Sequence, residues 1–458
     1  MEYRARNPRE TALYSIVNDH LNIFLCKHPD IPIYAVKELN GFLRCGIFDY
    51  GFARFKCDSC PLEKMVAFSC KKRGFCPSCA GRRMSETSIK LTDHILPDLP
   101  YRQWVLTLPI ALRYWLAKSS KLLTMIHKIF IDTVSDFYER RVEATFDFEN
   151  TKAGSFTGIQ RFGSSLALNI HFHTVFPEGA FVENSTGGVG FHRSRPPRNE
   201  DVASLLKAVA EKTIVLLRRL GFLKEQAHED EEADVSCLFE KLDEHERIKL
   251  ASSFDVIAFG ENAGQKPRRL IGCGFGDEDE RVSFRGELSA YVNGFSLHAA
   301  TFVKQHRIHQ LAQLLRYILR PPLSNERLEI LSDGDIQYKM KRRFSDGSTH
   351  VIFSPEEFLE RLVALIPIQY IHLVRYSGVF ASASPLRSRV IKSSSKEKME
   401  TSQTSRIEWS ELLKRTFGID ITQCSCGGKL RLIALISERG VIAKILRHMA
   451  LKGDPPGS

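Results

Sequence analysis

Three groups of side chains in this 458-residue chain have types and spacings that could do chemistry. The first lies in Leu168-Asn169-Ile170-His171-Phe172-His173-Thr174-Val175-Phe176, which reads as a β-strand. Strand side chains alternate, so Asn169, His171 and His173 share one face, and Ile170, Phe172 and Phe176 take the other. Two neutral imidazoles on one face can hold a divalent metal. The same alternation also arises on a half-exposed strand that binds nothing. The second group is cysteine. Of 11 cysteines, six fall between Cys45 and Cys79, with two C-x-x-C pairs, Cys57/Cys60 and Cys76/Cys79. A C-x-x-C knuckle turns both sulfurs toward one ion, and two such pairs at this separation suit tetrahedral zinc. Cys45 and Cys70 each either replace a ligand or complete a second site. The third is Tyr317, with Arg316 and Arg320 beside it. A tyrosine off the core stripe next to arginines suits attack on a phosphodiester, since the cations offset negative charge on phosphate and phenolate. A surface tyrosine packed on arginine stems gives the same pattern.

The elements that must position these groups are readable in outline. Trp104 to Pro109 predicts a short strand, followed by helical periodicity to about Tyr138. Phe156 to Ile159 predicts a strand ending at Gln160-Arg161-Phe162-Gly163. Gly179 to Val182 reads as a hairpin return from the histidine strand. Asp201 to Leu220 is an amphipathic helix with Asp201 as N-cap and Gly221 past its end. Ala299 to Arg320 reads as one helix, its apolar stripe Ile308, Leu311, Leu315 and Ile318, stopped by Pro321-Pro322. Ile336 to Phe353 predicts a hairpin about Ser345-Asp346-Gly347. Ser354-Pro355-Glu356-Glu357 carries a capping box and opens a helix to about Ile366. His228 to Asp234 is an acidic loop, Pro385 to Arg406 a basic linker, and Trp409 to Ala450 a small helical tail.

Composition sets the class. The chain is 43% hydrophobic and 26% charged, with a net charge of +11. That is ordinary globular composition with a bias toward polyanions such as nucleic acid. No apolar h-region follows Met1, and no apolar run reaches the roughly 18 residues of a membrane helix. The expectation is a cytoplasmic protein with no membrane partner. Its cysteines are then thiols or metal ligands rather than disulfides. Lys71, Lys72 and Arg73, inside the cysteine cluster, are candidate phosphate contacts.

Taken in order, these pieces resemble a known family. Val105-Leu106-Thr107-Leu108-Pro109 resembles the first motif of rolling-circle replication initiators. His171-Phe172-His173 is similar to their histidine–hydrophobe–histidine (HUH) motif, and Leu314-Leu315-Arg316-Tyr317-Ile318-Leu319-Arg320-Pro321-Pro322 to their nucleophile helix. Ala67 to Cys79 resembles the zinc segment of the bacterial rolling-circle transposases, including the single-tyrosine insertion-sequence common-region branch. Gln160 to Ser164, Phe295 to Ala299, Arg320 to Ser324, Asp333-Gly334 and Glu357 to Leu359 also look like that family. Cys424-Ser425-Cys426-Gly427-Gly428 does so more weakly.

The resemblance implies a metal-dependent single-strand DNA nickase and ligase working through a 5′-phosphotyrosine link. Tyr317 would be the nucleophile, with His171 and His173 as ligands of Mg²⁺ or Mn²⁺. Gln160 would be the third ligand, with an acidic residue among Asp277, Glu278, Asp279 and Glu280 as a rival. Cys57, Cys60, Cys76 and Cys79, with Cys45 or Cys70, would hold structural Zn²⁺. Some relatives carry a second tyrosine four residues away; here Gln313 and Pro321 occupy those positions. Tyr291, Tyr338, Tyr370 and Tyr376 are the other tyrosines considered. The partners implied are single-stranded element ends and target DNA, in the bacterial nucleoid, and a homo-oligomer is compatible with the chain. A plasmid replication or mobilisation nickase and a non-catalytic zinc DNA-binding protein are the competing readings.

The expected fold is α+β. An antiparallel HUH-endonuclease-like sheet with flanking helices follows a small Cys-rich zinc-binding domain. The expected division is an N-terminal helical segment at 1–40, the zinc domain at 41–95 and the catalytic domain at 96–325. A hairpin-plus-helix extension at 326–384, the linker at 385–406 and the helical tail at 407–458 complete it.

Overall fold

The computed structural model describes residues 7–185, 187–223, 242–271, 286–341, 343–344, 346–391 and 422–451. The acidic run at 228–234, the loop at 276–280 and most of the basic linker lie outside them. The chain opens with helices α1 (Ala12–Lys27) and α2 (Ile33–Leu43), then strands β1 (Phe52–Cys57) and β2 (Glu63–Ala67). Helix α3 (Pro77–Lys90) leads into β3 (Tyr101–Thr107), followed by α4 (Ile110–Lys118) and α5 (Ser120–Phe146). Strands β4 (Gly154–Phe162), β5 (Leu168–Pro177), β6 (Gly179–Glu183) and β7 (Val189–Arg193) precede α6 (Asn199–Arg219) and α7 (Glu244–Ser253). Next come β8 (Arg268–Ile271), β9 (Ser289–Val292), β10 (Phe295–His298), β11 (Phe302–Val303) and α8 (Ile308–Ile318). Strands β12 (Leu328–Ile330), β13 (Ile336–Lys339) and β14 (Ser348–Phe353) lead to α9 (Pro355–Leu365) and β15 (Val374–Gly378). The chain closes with α10 (Arg387–Val390), β16 (Leu430–Ile436) and α11 (Arg439–Leu451).

The principal sheet runs β15-β4-β5-β3-β10-β9, with β11 also on β3, and every pair in it is antiparallel. The histidine strand β5 is therefore interior, between β4 and β3. One face of this sheet is an apolar layer under α5 and α6. Trp104, Leu106, Ile170, Phe172 and Phe176 are buried there against Phe130, Val134, Tyr138 and Leu206. The opposite face carries Tyr101, Phe156 and Val175, which pack with Leu311, Leu314, Leu315 and Ile318 of α8 and with Leu91 and Ile95 beyond α3. A second sheet, β12-β13-β14-β8, packs with α1, α2, α7 and α9 in a separate apolar cluster. In a third, β16-β1-β2, β1 ends at Cys57, the first of the cysteines grouped near the β1–β2 turn.

Several elements differ from the sequence expectation. The segment expected as one helix from Ala299 is strand and turn first: Phe302 and Val303 pair with Arg102 and Tyr101, and the helix starts only at Ile308. Phe302 is held there by the guanidinium of Arg102 at 4.9 Å, an aromatic–cation contact that a helical register would not offer. Ile308 consequently lies outside the buried stripe, which is Leu311, Leu314, Leu315 and Ile318. Strand β6 does not return along β5; it pairs with β7 in a two-stranded sheet of its own. Asp201 is not the N-cap of α6 but its third residue, where its carboxylate accepts the Arg198 N–H at 2.7 Å. Among the described residues of the expected helical tail, Leu430–Ile436 is a strand paired with β1 and Arg439–Leu451 is helical.

Candidate functional site

Register puts the polar residues together. His171 of β5 lies between Thr107 of β3 and Gln160 of β4; His173 lies between Val105 and Gly158. The two imidazole centroids are 4.8 Å apart. Helix α8 crosses this face with its C-terminal turn over Gly158, and the absent side chain there is what lets Ile318 approach. A Cβ at Gly158 would sit 2.4 Å from Ile318 Cγ2. The Gln160 amide donates to the carbonyl oxygens of Tyr317 (3.0 Å) and Ile318 (2.8 Å), satisfying groups that a helix end leaves open. The Tyr317 ring then stands perpendicular to His173, centroids 5.8 Å apart, although 144 residues separate them in sequence.

Burial first, then the charges of Arg320 and Arg113, push His171 down to about 4, against a raising contribution from its own backbone contact. Burial, His171 and Arg320 push His173 down to about 2. Both rings are therefore neutral at neutral pH, each with a lone pair to give. His171 Nδ1 donates to the Asn169 carbonyl at 3.0 Å, which directs its lone pair to Nε2. His173 Nδ1 lies 2.6 Å from the Gln103 amide. The amide nitrogen is the atom placed there, donating to Nδ1; a flip of the amide would put Oε1 on Nδ1–H and leave Nε2 bare. Buried and without a hydrogen-bond partner here are His173 Nε2 and Gln160 Oε1. Arg320 lies over the Tyr317 ring at 4.8 Å and Lys341 at 4.3 Å.

The cysteines divide differently from the expected set. Cys45, Cys70, Cys76 and Cys79 form one group, and Cys57, Cys60, Cys424 and Cys426 another, each with all sulfurs within 4.8 Å. The two C-x-x-C pairs thus do not face one another. The Cys57/Cys60 knuckle ends β1, whereas Cys76 and Cys79 sit at the start of α3, on the other side of the β1–β2 hairpin. In the first group Cys45 and Cys79 are 3.5 Å apart, Cys70 and Cys79 3.3 Å, and Cys76 and Cys45 3.7 Å. A tetrahedral ion with Zn–S near 2.3 Å gives sulfur–sulfur edges of about 3.8 Å. Hydrogen bonding from Cys70, Cys76 and Cys79 holds Cys45 well below the usual thiol range. Helix α3 runs from this group to α8, where Ser88 Oγ donates to the Ala312 carbonyl at 3.2 Å.

Residues 154–388, just over half of the chain, match the family model described as "Putative transposase". The chain belongs to this transposase family. Residues 16–108 match the transposase zinc-binding domain of the IS91 type. A stretch of 167 residues is 26% identical to the transposase for insertion sequence element IS801 of Pseudomonas savastanoi pv. phaseolicola, over 36% of this chain and 38% of that protein. The alignment thus spans under two fifths of that relative's length. No solved structure matches the chain. Gln160, His171, His173 and Tyr317 fall inside the first match; Cys45, Cys57, Cys60, Cys70, Cys76 and Cys79 fall inside the second.

Among the other expected contacts, Arg320 reaches the tyrosine ring, whereas Arg316 is exposed one residue before it. Lys71 and Arg73 are exposed, and the stem of Lys72 faces Gly41. Arg83 donates to the Lys71 carbonyl at 3.1 Å, bracing that basic loop. Of the rival tyrosines, Tyr338 is buried with its hydroxyl on the Pro322 carbonyl, Tyr376 packs at a tilt against Phe156, and Tyr291 and Tyr370 are exposed. Gln103 and Lys341 were not expected. Gln103 had a signal, since it alternates with Val105 and Thr107 on the face toward the histidines. Lys341 reaches the site from β13's far end, which no local pattern marks. Among the described residues no helix is long and apolar enough to cross a membrane.

Proposed function

We propose that this transposase nicks and rejoins single-stranded DNA at element ends through Tyr317, in the manner of HUH enzymes, during rolling-circle transposition. The reading rests on one observation above the rest: the Tyr317 ring stands 5.8 Å from His173, over an interior strand that also carries His171. The antiparallel sheet with helices on both faces is the architecture such enzymes need. His171, His173 and Gln160 are the residues that would hold Mg²⁺ or Mn²⁺. Two atoms of this set, His173 Nε2 and Gln160 Oε1, are buried without another partner, which suits an ion better than an apolar contact. When bound, the ion would polarise the scissile phosphate.

The chain's own groups would do the rest. Tyr317 oxygen attacks phosphorus, the bond from phosphorus to the 3′ oxygen breaks, and the departing oxygen takes a proton to become a 3′-hydroxyl. The new 5′-phosphotyrosine keeps the phosphodiester energy, and a target 3′-hydroxyl reverses the step, returning the proton to tyrosine. Arg320 and Lys341 offset charge developing on the phenolate and phosphate. Gln160 fixes the helix end that carries the nucleophile. The zinc-binding domain and its basic loop Lys71-Lys72-Arg73 would grip the element end, and α3 would transmit that grip to α8.

The test is a covalent-adduct assay with labelled single strands from the ends of the element, Mn²⁺ or Mg²⁺, wild type and Tyr317→Phe. An adduct from wild type alone supports the reading. An adduct that persists in Tyr317→Phe overturns the assignment of the nucleophile.

A further inference from the structure

The geometry points to a second zinc site in this chain. It is closed by Cys57 and Cys60 from the N-terminal module and Cys424 and Cys426 from the C-terminal segment, and it fastens residues 422–451 to that module. Cys57 Sγ lies 3.6 Å from Cys426 Sγ, and Cys60 Sγ 3.6 Å from Cys424 Sγ, with all four sulfurs within 4.8 Å. Those separations are near the roughly 3.8 Å edge of a tetrahedral Zn–S₄ centre. They converge on one point, and no pair is within bonding distance of a disulfide, whose sulfurs lie about 2.05 Å apart.

The surroundings are built for two facing knuckles. In each pair one sulfur accepts the N–H two residues further on: Ser59 to Cys57 Sγ, the first ligand of its pair, and Gly428 to Cys426 Sγ, the second of its pair, both at 3.4 Å. Such N–H···S contacts orient ligands and favour thiolate. The knuckles are also tied to each other. Asp58 donates its N–H to the Lys429 carbonyl at 3.1 Å and accepts the Lys429 N–H on its carboxylate at 2.9 Å. Gly427 takes φ +88° to make the second turn. A Cβ at Gly428 would meet Cys57 Sγ and Ser59 Oγ at 2.7 Å each. From there β16 continues along β1, with Cys57 opposite Leu430 and Phe52 opposite Ile436. Cys424 and Cys426 lie outside both family matches, which end at residues 108 and 388. The two matches therefore cover only Cys57 and Cys60 of the four ligands.

The experiment counts zinc bound to the purified full chain by mass spectrometry of the metal. It does not depend on DNA cleavage. Wild type is expected to hold two zinc ions per chain, and Cys424→Ser/Cys426→Ser one. Cys76→Ser/Cys79→Ser should also hold one, lost from the other site. Cys426→His should keep two metals, and its cobalt-substituted form should show one centre with three sulfurs and one nitrogen. One zinc in wild type overturns the proposal, as does two zinc ions retained in Cys424→Ser/Cys426→Ser. If that double variant does not fold, the cobalt spectrum of Cys426→His decides: a spectrum unchanged from wild type overturns the site.

Discussion

Replacing Gly158 by alanine should disable the proposed strand cleavage by moving Tyr317, without touching any group given a chemical role above. The new Cβ would stand 2.4 Å from Ile318 Cγ2 and 3.4 Å from the Ile318 carbonyl oxygen. Carbon atoms in contact prefer about 3.5–4.0 Å, so the end of α8 must lift by roughly 1 Å or more. Gly158 lies on an interior strand and cannot retreat, because β5 and β15 hold it from both sides. Overpacking of this kind costs about 1–3 kcal/mol. Ile318 adjoins Tyr317, and both carbonyls are bonded to Gln160, so the displacement reaches the attacking oxygen. A 1 Å misplacement costs a reaction about 100-fold in rate. The assay is single-turnover adduct formation beside urea unfolding of the same preparation. Gly81→Ala is the control, since nothing lies within 4 Å of its Cβ position on α3. Gly158→Ala forming adduct at the wild-type rate, while destabilised as expected, would refute the idea that the seating of α8 sets the rate. Unchanged stability would refute the packing argument itself.

Other outcomes follow from the same geometry. Gln103→Leu should weaken Mn²⁺ binding about 10–100-fold in a metal titration of adduct formation, because His173 Nδ1 loses the group that orients it. Glu178→Ala should cost about 3–5 kcal/mol in urea unfolding, since it strands Arg102, whose guanidinium meets Glu178 at 2.7 Å in the interior. Ser354→Ala removes the cap of α9, with a loss of about 1 kcal/mol by the same measurement. Burial pushes His127 down to about 3, with its ring against Phe172. An unfolded histidine titrates near 6.5, so between those values the unfolded chain binds a proton that the native one does not. Stability should fall as pH drops below 6.5, by up to about 1.4 kcal/mol per pH unit from this group. His127→Leu should flatten that slope in unfolding curves taken from pH 7 to 4.5.

What could be read in advance was whatever a local period encodes. The alternation of Leu168–Phe176 gave both the strand and the shared face of its histidines. The capping box at Ser354 gave the start of α9, and the Ser345-Asp346-Gly347 turn gave the β13–β14 hairpin. Pairings between distant segments were not written in this way. Two C-x-x-C motifs close in sequence invited one site, yet the partners of Cys57 and Cys60 stand more than 360 residues away. Only the β1–β16 ladder, which no periodicity announces, brings them in. Phe302 and Val303 sat inside an apparently continuous helical pattern, and a two-residue pairing with β3 overrode it. Gln103 lay in view on the right face, but its role needed the register of β3 against β5.

The pairing of β1 with β16 also bears on how the protein is made. Cys60 and Cys424 stand 364 residues apart. At about 5–20 residues per second, a ribosome that has just released the first knuckle needs about 20–70 s more to deliver the second. Throughout that interval one edge of β1 is unpaired, and the principal sheet can form before the small sheet is complete. Nascent chains that end early would carry Tyr317 and both histidines while lacking the strand that closes the cysteine-rich module. The order of synthesis therefore makes closure of this module a late event, one that separates finished chains from truncated ones.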